Sequence, residues 1–326
     1  MKVLCTGISG SNKLAYLRAV EALFMRNNKV LKIYSVGEIM REKIESCGID
    51  INYDNILNMD PNFLSIAAGW ALEAIAVASE HDEYAVINTH TGFLWKGINI
   101  DSNNSFHIPK INPDFFITII AAETAILGNL KKNNQWKGQT LSEENVLHWQ
   151  DDEVEETAGL AKIAKKEHFV FPMGQPPETL YKKMVYPQTK VVYVSFPMTH
   201  LDRAKGRNYG KIDQLIKELR RYFCVIDPRN LTINEQALGI VRNHTVHRDL
   251  HWFVSKTHKT IIYYPEITLS LGANTEMWEA CKTSKDVYAI FPSAKFSPFL
   301  DYPVKRIFSS TEAFYDYLAK NYKKIY

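Results

Sequence analysis

Cysteine is scarce in this chain of 326 residues. Cys5, Cys47, Cys224 and Cys281 are widely scattered, and no pair of them has a metal-ligand interval. That excludes a disulfide-stapled scaffold and a cysteine zinc site, and it fits a reducing, cytoplasmic setting. Excess charge of either sign is missing too. A formal net charge of +3 argues for neither a nucleic-acid partner nor an anionic membrane surface. No apolar run is expected to approach bilayer-spanning length. Met1-Lys2-Val3-Leu4-Cys5-Thr6-Gly7 enters a strand pattern directly, without the apolar stretch of a secretory leader. Finally, no arginine occurs between Arg41 and Arg203.

What is present fits a soluble protein of two domains: 46% hydrophobic and 23% charged residues over 326 positions. Strand and helix patterns alternate, which implies parallel sheets. Pro172-Met173-Gly174-Gln175-Pro176-Pro177 and Tyr186-Pro187-Gln188 break the pattern. The expected fold is therefore α/β, with two doubly wound parallel-sheet domains at 1–185 and 186–326. No internal repeat is visible.

In the first half, Val3-Leu4-Cys5-Thr6 and then Gly7-Ile8-Ser9-Gly10-Ser11-Asn12-Lys13 read as strand, glycine loop and helix. Such a loop turns backbone N–H groups toward phosphate while a lysine neutralises its outer oxygens. Gly7, Gly10, Ser11 and Lys13 are thus candidate nucleotide-binding residues; an ordinary turn with a solvated lysine is the plainer alternative. Residues 36–44 and 62–79 read as helices, the second long and buried. Val30-Leu31-Lys32-Ile33-Tyr34, Tyr84-Ala85-Val86-Ile87-Asn88-Thr89 and Phe115-Phe116-Ile117-Thr118-Ile119-Ile120 read as strands.

These pieces, with Thr89-His90-Thr91-Gly92, Pro113-Asp114, a lid-like 131–137 segment and Phe169-Val170-Phe171-Pro172, resemble the adenylate-kinase-type P-loop nucleotide kinases. The resemblance covers residues 1 to about 185 and implies ATP with Mg²⁺ at the glycine loop. Asn12-Lys13-Leu14 departs from the Gly-Lys-Ser/Thr of that pattern, and Leu14 has no hydroxyl for Mg²⁺. The arginine gap removes groups that in such kinases are worth about 10³- to 10⁵-fold in rate. Lys131, Lys132 and Lys137 supply charge without a guanidinium fork. A degenerate nucleotide-binding or structural domain is expected, with an active kinase as the alternative.

The second half restarts with the strand Val191-Val192-Tyr193-Val194-Ser195 and the loop Phe196-Pro197-Met198-Thr199-His200. Residues 211–222 form an amphipathic helix pattern, and Phe223-Cys224-Val225-Ile226-Asp227 another strand. His247-Arg248-Asp249-Leu250-His251-Trp252-Phe253 then reads as a helix carrying an acid. After the buried strand Thr260-Ile261-Ile262-Tyr263-Tyr264, Ser270-Leu271-Gly272-Ala273-Asn274-Thr275-Glu276 opens a second helix with another acid. Val287-Tyr288-Ala289-Ile290-Phe291 makes about five strands in all, and a helix over 311–322 closes the chain. In open α/β sheets, ligands sit at the carboxyl ends of strands, where such loops lie.

Asp249-Leu250-x-Trp252, the strand, and Ser270-Leu271-Gly272 with Glu276 resemble the nucleoside 2-deoxyribosyltransferase family, and more closely its nucleoside 5′-monophosphate N-hydrolase branch. The likeness covers roughly residues 188–300. It implies Glu276 as nucleophile, Asp249 engaging sugar hydroxyls, and Tyr193 holding the nucleophile. Ser270, with Gly272, would receive a 5′-phosphate at the helix N-terminus; Asn274 and Ser195 complete the expected substrate set. The implied ligand is a small-molecule nucleotide, with no cofactor for glycoside cleavage, and a homodimer is in keeping with the family. Each residue also has a structural reading: a helix-dipole role for Glu276, pairing with Arg248 for Asp249, a plain cap for Ser270, a core position for Tyr193. The bulky Phe196-Pro197-Met198 departs from the branch's small loop and leaves a dinucleotide such as NAD open as substrate. His244, His247, His251 and His258 cluster without a recognisable zinc interval, and no metal is expected.

Overall fold

The computed structural model of the chain describes residues 1–49, 53–102, 106–198, 209–231, 239–268, 270–293 and 297–325. Thr199 and His200, read as part of the loop after the first strand of the second half, lie outside them. The chain divides into two compact units, Met1–Tyr181 with Leu231–His244, and Lys182–Asn230 with Thr245–Tyr326. Each contains one five-stranded parallel sheet flanked by helices.

In the first unit the strands are β1 (Lys2–Thr6), β2 (Lys32–Ser35), β3 (Ala85–Asn88), the hairpin β4 (Gly92–Trp95) and β5 (Ile98–Asp101), β6 (Phe115–Ile120) and β7 (Glu167–Pro172). The helices are α1 (Lys13–Arg26), α2 (Val36–Ser46), α3 (Pro61–Ala78), α4 (Ile108–Ile111), α5 (Glu123–Lys132), α6 (Glu143–Ala164) and α7 (Pro177–Val185, shared with the second unit). The main sheet runs β2-β3-β1-β6-β7, and the hairpin stands apart. β6 is buried at every position, as a strand covered on both faces must be. Leu4, Ile87 and Phe116 meet Leu72 and Ile75 of α3 and Leu160 of α6 in one core cluster. A reciprocal capping box of Ser142 and Asn145 starts α6.

Helix α3 corrects two expectations. At 18 residues and mean hydropathy 1.3 it is long and apolar enough to cross a membrane by length and composition. It is also buried on one face only: Ala67, Ala71, Leu72 and Ile75 enter the core, while Ile66 and Val77 are 53% and 74% exposed. Its run of small residues accounts for both, since alanines lift the hydropathy without supplying a second face to pack.

The second unit contains β8 (Val191–Ser195), α8 (Tyr209–Leu219), β9 (Cys224–Ile226), α9 (Ile240–His247, shared with the first unit), β10 (Lys259–Tyr263), α10 (Leu271–Lys282), β11 (Asp286–Ile290), α11 (Pro298–Asp301), β12 (Arg306–Phe308) and α12 (Thr311–Asn321). The order β12-β11-β10-β8-β9 is, counted from this unit's first strand, the doubly wound 2-1-3-4-5 arrangement. Its switch point falls between β8 and β10, which pair in parallel from Lys259↔Val192 to Ile262↔Ser195. The edge strand β12 was not read from the sequence, being only Arg306–Phe308.

Candidate active site

Three elements bring the site residues of the second unit to this switch point. Tyr193 and Ser195 stand on β8, Glu276 on α10, and Asp249 on a π-helical stretch, Arg248–Val254, that continues α9. Wide turns of this kind recur at functional sites because the extra residue re-aims side chains. Here Arg248 and Asp249 are both turned inward, each only 6% exposed.

The Tyr193 hydroxyl donates to Glu276 Oε1 at 3.1 Å. Phe253 stacks on the Tyr193 ring at 5.9 Å and 17°, which fixes the phenol's direction. The Glu276 carboxyl is pushed up to about 8, first by burial and then by the like charge of Asp249, against the opposing influence of Ser195, Tyr193 and Arg248. Part of the Glu276 residue remains accessible. Burial, Glu276 and Asp249 together raise the Tyr193 phenol well above its usual range. The two acids therefore act on one another and on the same tyrosine.

Asp249 also has a cation. Arg248 Nε and Nη2 donate to Asp249 Oδ1 at 3.3 and 3.2 Å, and the guanidinium lies 5.9 Å from the Phe253 ring centre. The pairing reading of Asp249 thus holds alongside its proximity to Glu276. Ser195 is fully buried, and its hydroxyl influences Glu276 without closing a hydrogen bond of normal geometry. Ser270 Oγ accepts from Ala273 N at 3.4 Å and so caps α10. Gly272 is exposed beside it, in the first turn. Asn274 Oδ1 accepts from the Tyr264 hydroxyl at 2.7 Å.

Tyr264 and Arg248 were not singled out by sequence reasoning as site residues. Arg248 carried a signal, since it adjoins Asp249. Tyr264, the residue after β10, had none beyond its place at a strand end. The histidines disperse: His247 and His251 rings lie 4.7 Å apart, while His244 Nε2 pairs with Asp151 at 3.0 Å in the first unit. Among the described residues, no group of three or more His, Cys, Asp and Glu side chains is placed to hold a metal ion.

The glycine loop of the first unit has left-handed backbone at two positions. Gly10 and Asn12 have φ of 82° and 61°; asparagine is among the few side chains that tolerate this left-handed region. A Cβ at Gly7 would stand 2.6 Å from the Ile119 carbonyl oxygen, so that glycine is obligatory. Lys13, however, is turned onto its own chain, donating to the Gly7 carbonyl at 2.7 Å and lying 3.0 Å from His90 Nε2. Burial depresses Lys13 to about 8, opposed by Glu153 and Cys5.

Glu153 of α6 ties this region together. Its carboxylate accepts from Gly7 N at 2.8 Å, Thr91 N at 3.1 Å, Thr91 Oγ1 at 2.7 Å and Gly92 N at 3.3 Å. Nothing in the run Asp151-Asp152-Glu153 distinguished it beforehand. Glu153→Gln puts an amide donor against donors and is expected to lower unfolding free energy by about 1–3 kcal/mol. Urea denaturation at neutral pH measures it; unchanged stability would show that the carboxylate is dispensable.

Fold and geometry together define a doubly wound α/β unit with a tyrosine-held, carboxylate-paired site at its switch point. In comparison with known proteins, no protein-family model matches the chain and no curated protein matches it.

Proposed function

We propose that the second unit cleaves, or transfers at, the N-glycosidic bond of a (deoxy)nucleotide, in the manner of the nucleoside deoxyribosyltransferase and nucleoside monophosphate N-hydrolase family it resembles. The observation that carries this reading is the 3.1 Å Tyr193–Glu276 hydrogen bond beside Asp249 at the β8/β10 switch point.

Leaving of the base develops oxocarbenium character at C1′, which a carboxylate stabilises by charge and then by bonding. Ionised Glu276 attacks C1′ as the C1′–N bond breaks, and the base leaves with that electron pair and takes up a proton. The glycosyl ester is then opened at C1′ by water, or by a second base, which gives up a proton to balance the one the first base took, and the carboxylate returns. Tyr193 holds the attacking oxygen in line. Asp249, beside its arginine, is suited to accept hydrogen bonds from sugar hydroxyls. The N-terminus of α10, with Ser270 and exposed Gly272, offers backbone donors to a 5′-phosphate.

The first unit serves in this reading as a nucleotide-kinase-like module without turnover. Lys13 is committed to Gly7 and His90, and Leu14 brings no hydroxyl. Incubating the pure protein with a panel of (deoxy)nucleoside monophosphates and NAD, with chromatography for free base, is expected to show release from at least one. Absence of release from every member by folded protein would count against an enzyme here. Magnesium-dependent ADP formation that vanishes in Lys13→Ala would instead establish phosphoryl transfer in the first unit. Saturable nucleotide binding with neither product would make the protein a sensor.

A further inference from the structure

We infer that the second unit carries another ligand site, at the opposite end of its strands from the acids, which takes a flat-ringed organic anion of nucleotide size. A cavity of about 540 Å³ lies there, within the roughly 300–1,000 Å³ usual for small-molecule sites. It is bounded by residues 185–190 entering β8, by Tyr222 and Phe223 entering β9, and by residues 322–325 after α12. Lys190 precedes β8 and Ser195 ends it, so at about 3.3 Å per residue the cavity and the acids stand roughly 16 Å apart along the strand.

Two features define the ligand. The first is an aromatic wall: Tyr186, 39% exposed, and half-buried Tyr322 border the cavity, backed by Tyr222 and Phe223, which are 4% and 2% exposed. Phe223 and Tyr322 meet edge-on at 4.9 Å, Tyr222 adjoins Phe223 at 6.3 Å, and the Tyr322 hydroxyl lies 3.3 Å from that of Tyr288. Ile325 N donates to the Arg221 carbonyl at 2.8 Å and pins the tail as the facing wall. The second is charge of one sign. Lys190, Lys323 and Lys324 line the cavity, and among the described residues none that lines it is acidic. None of the three joins an ion pair among the described residues, and Lys324 Nζ lies 5.9 Å from the Tyr222 ring centre. Glu218, the acid that acts on Tyr222, is bonded to Arg221 at 2.8 Å.

Solvated lysines on a convex face would mean little. Around a concave aromatic surface they favour a molecule that has both a stacking ring and phosphate or carboxylate oxygens. A neutral ring forgoes the charge, and a bare anion forgoes the stacking.

Calorimetric titration of the full chain with AMP, indole-3-acetate, adenosine and inorganic phosphate tests this, with hydrogen exchange followed at 222–223 and 322–325. AMP or indole-3-acetate is expected to bind and protect both segments. Binding by AMP alone would make the ligand a nucleotide, and binding by both a broader class of ring-bearing anion. Adenosine and phosphate are expected to bind at least tenfold more weakly. The double variant Lys190→Glu, Lys324→Glu should lose at least tenfold in affinity at an unchanged melting temperature, since both side chains are exposed. Protection of 222–223 and 322–325 by indole-3-acetate, which has no glycosidic bond, should be the same in Glu276→Gln, whether or not the second unit cleaves nucleotides. No protection by any probe, affinity indifferent to the charge reversal, or loss of that indole-3-acetate protection in Glu276→Gln would overturn the assignment.

Discussion

Glu276→Gln is expected to abolish base release, with a loss on the order of 10³-fold or more, because an amide cannot form the glycosyl ester. The same change is expected to flatten a pH dependence of stability. The carboxyl titrates near 4.5 in the unfolded chain and is raised to about 8 in the fold. Between those values the folded state keeps a proton that the unfolded state releases. The stability that Glu276 contributes is therefore complete below about pH 4.5 and is lost as pH rises to about 8. Urea denaturation at pH 5, 6.5 and 8 should show wild type weakening across this window and Glu276→Gln weakening less. Activity runs the other way. The nucleophile must be ionised, so kcat/KM for the free enzyme should rise with pH and level off above about 8. Full activity in Glu276→Gln would sink the glycosidic reading, whatever the stability curves show.

The alternating pattern made both sheets legible because parallel strands are buried on two faces and so appear as unbroken apolar runs, such as Phe115–Ile120. The hairpin of β4 and β5 escaped notice: Gly92–Trp95 and Ile98–Asp101 are four residues each and sit apart from the main sheet. Helix α3 was overread as wholly buried because composition, unlike periodicity, does not say which face is covered. At the site, Tyr193, Asp249 and Glu276 were legible from their motif, and the structure brings them within mutual electrostatic reach. What the sequence concealed was the π-helical stretch at Arg248. His247 and His251 still meet across it, with rings 4.7 Å apart, while His244, in the α-helical part, is taken up by Asp151. Glu153 was concealed for a different reason. Its role depends on loops 62 and 146 positions away in the chain, and no local pattern encodes a contact at that separation.

Asp249 offers the sharper separation of scaffold from chemistry, because it pairs with a cation and also acts on Glu276. Asp249→Ala strips the partner from a buried arginine and is expected to cost about 3–5 kcal/mol, as unpaired buried charges do. The same change removes the like charge that helps raise Glu276. The midpoint of the activity profile in Asp249→Ala should accordingly fall below that of wild type, toward neutral pH, even where sugar binding is weakened and KM rises. Adding Arg248→Met, which removes the stranded charge, should recover much of the stability and, because the arginine itself holds Glu276 down, return part of the midpoint shift. If Asp249 were only a counter-ion for Arg248, the single variant would lose stability and keep the wild-type midpoint. Chemical denaturation and a pH–rate series on the three proteins decide between them, because the scaffold role moves the first measurement and only a shared catalytic site moves the second.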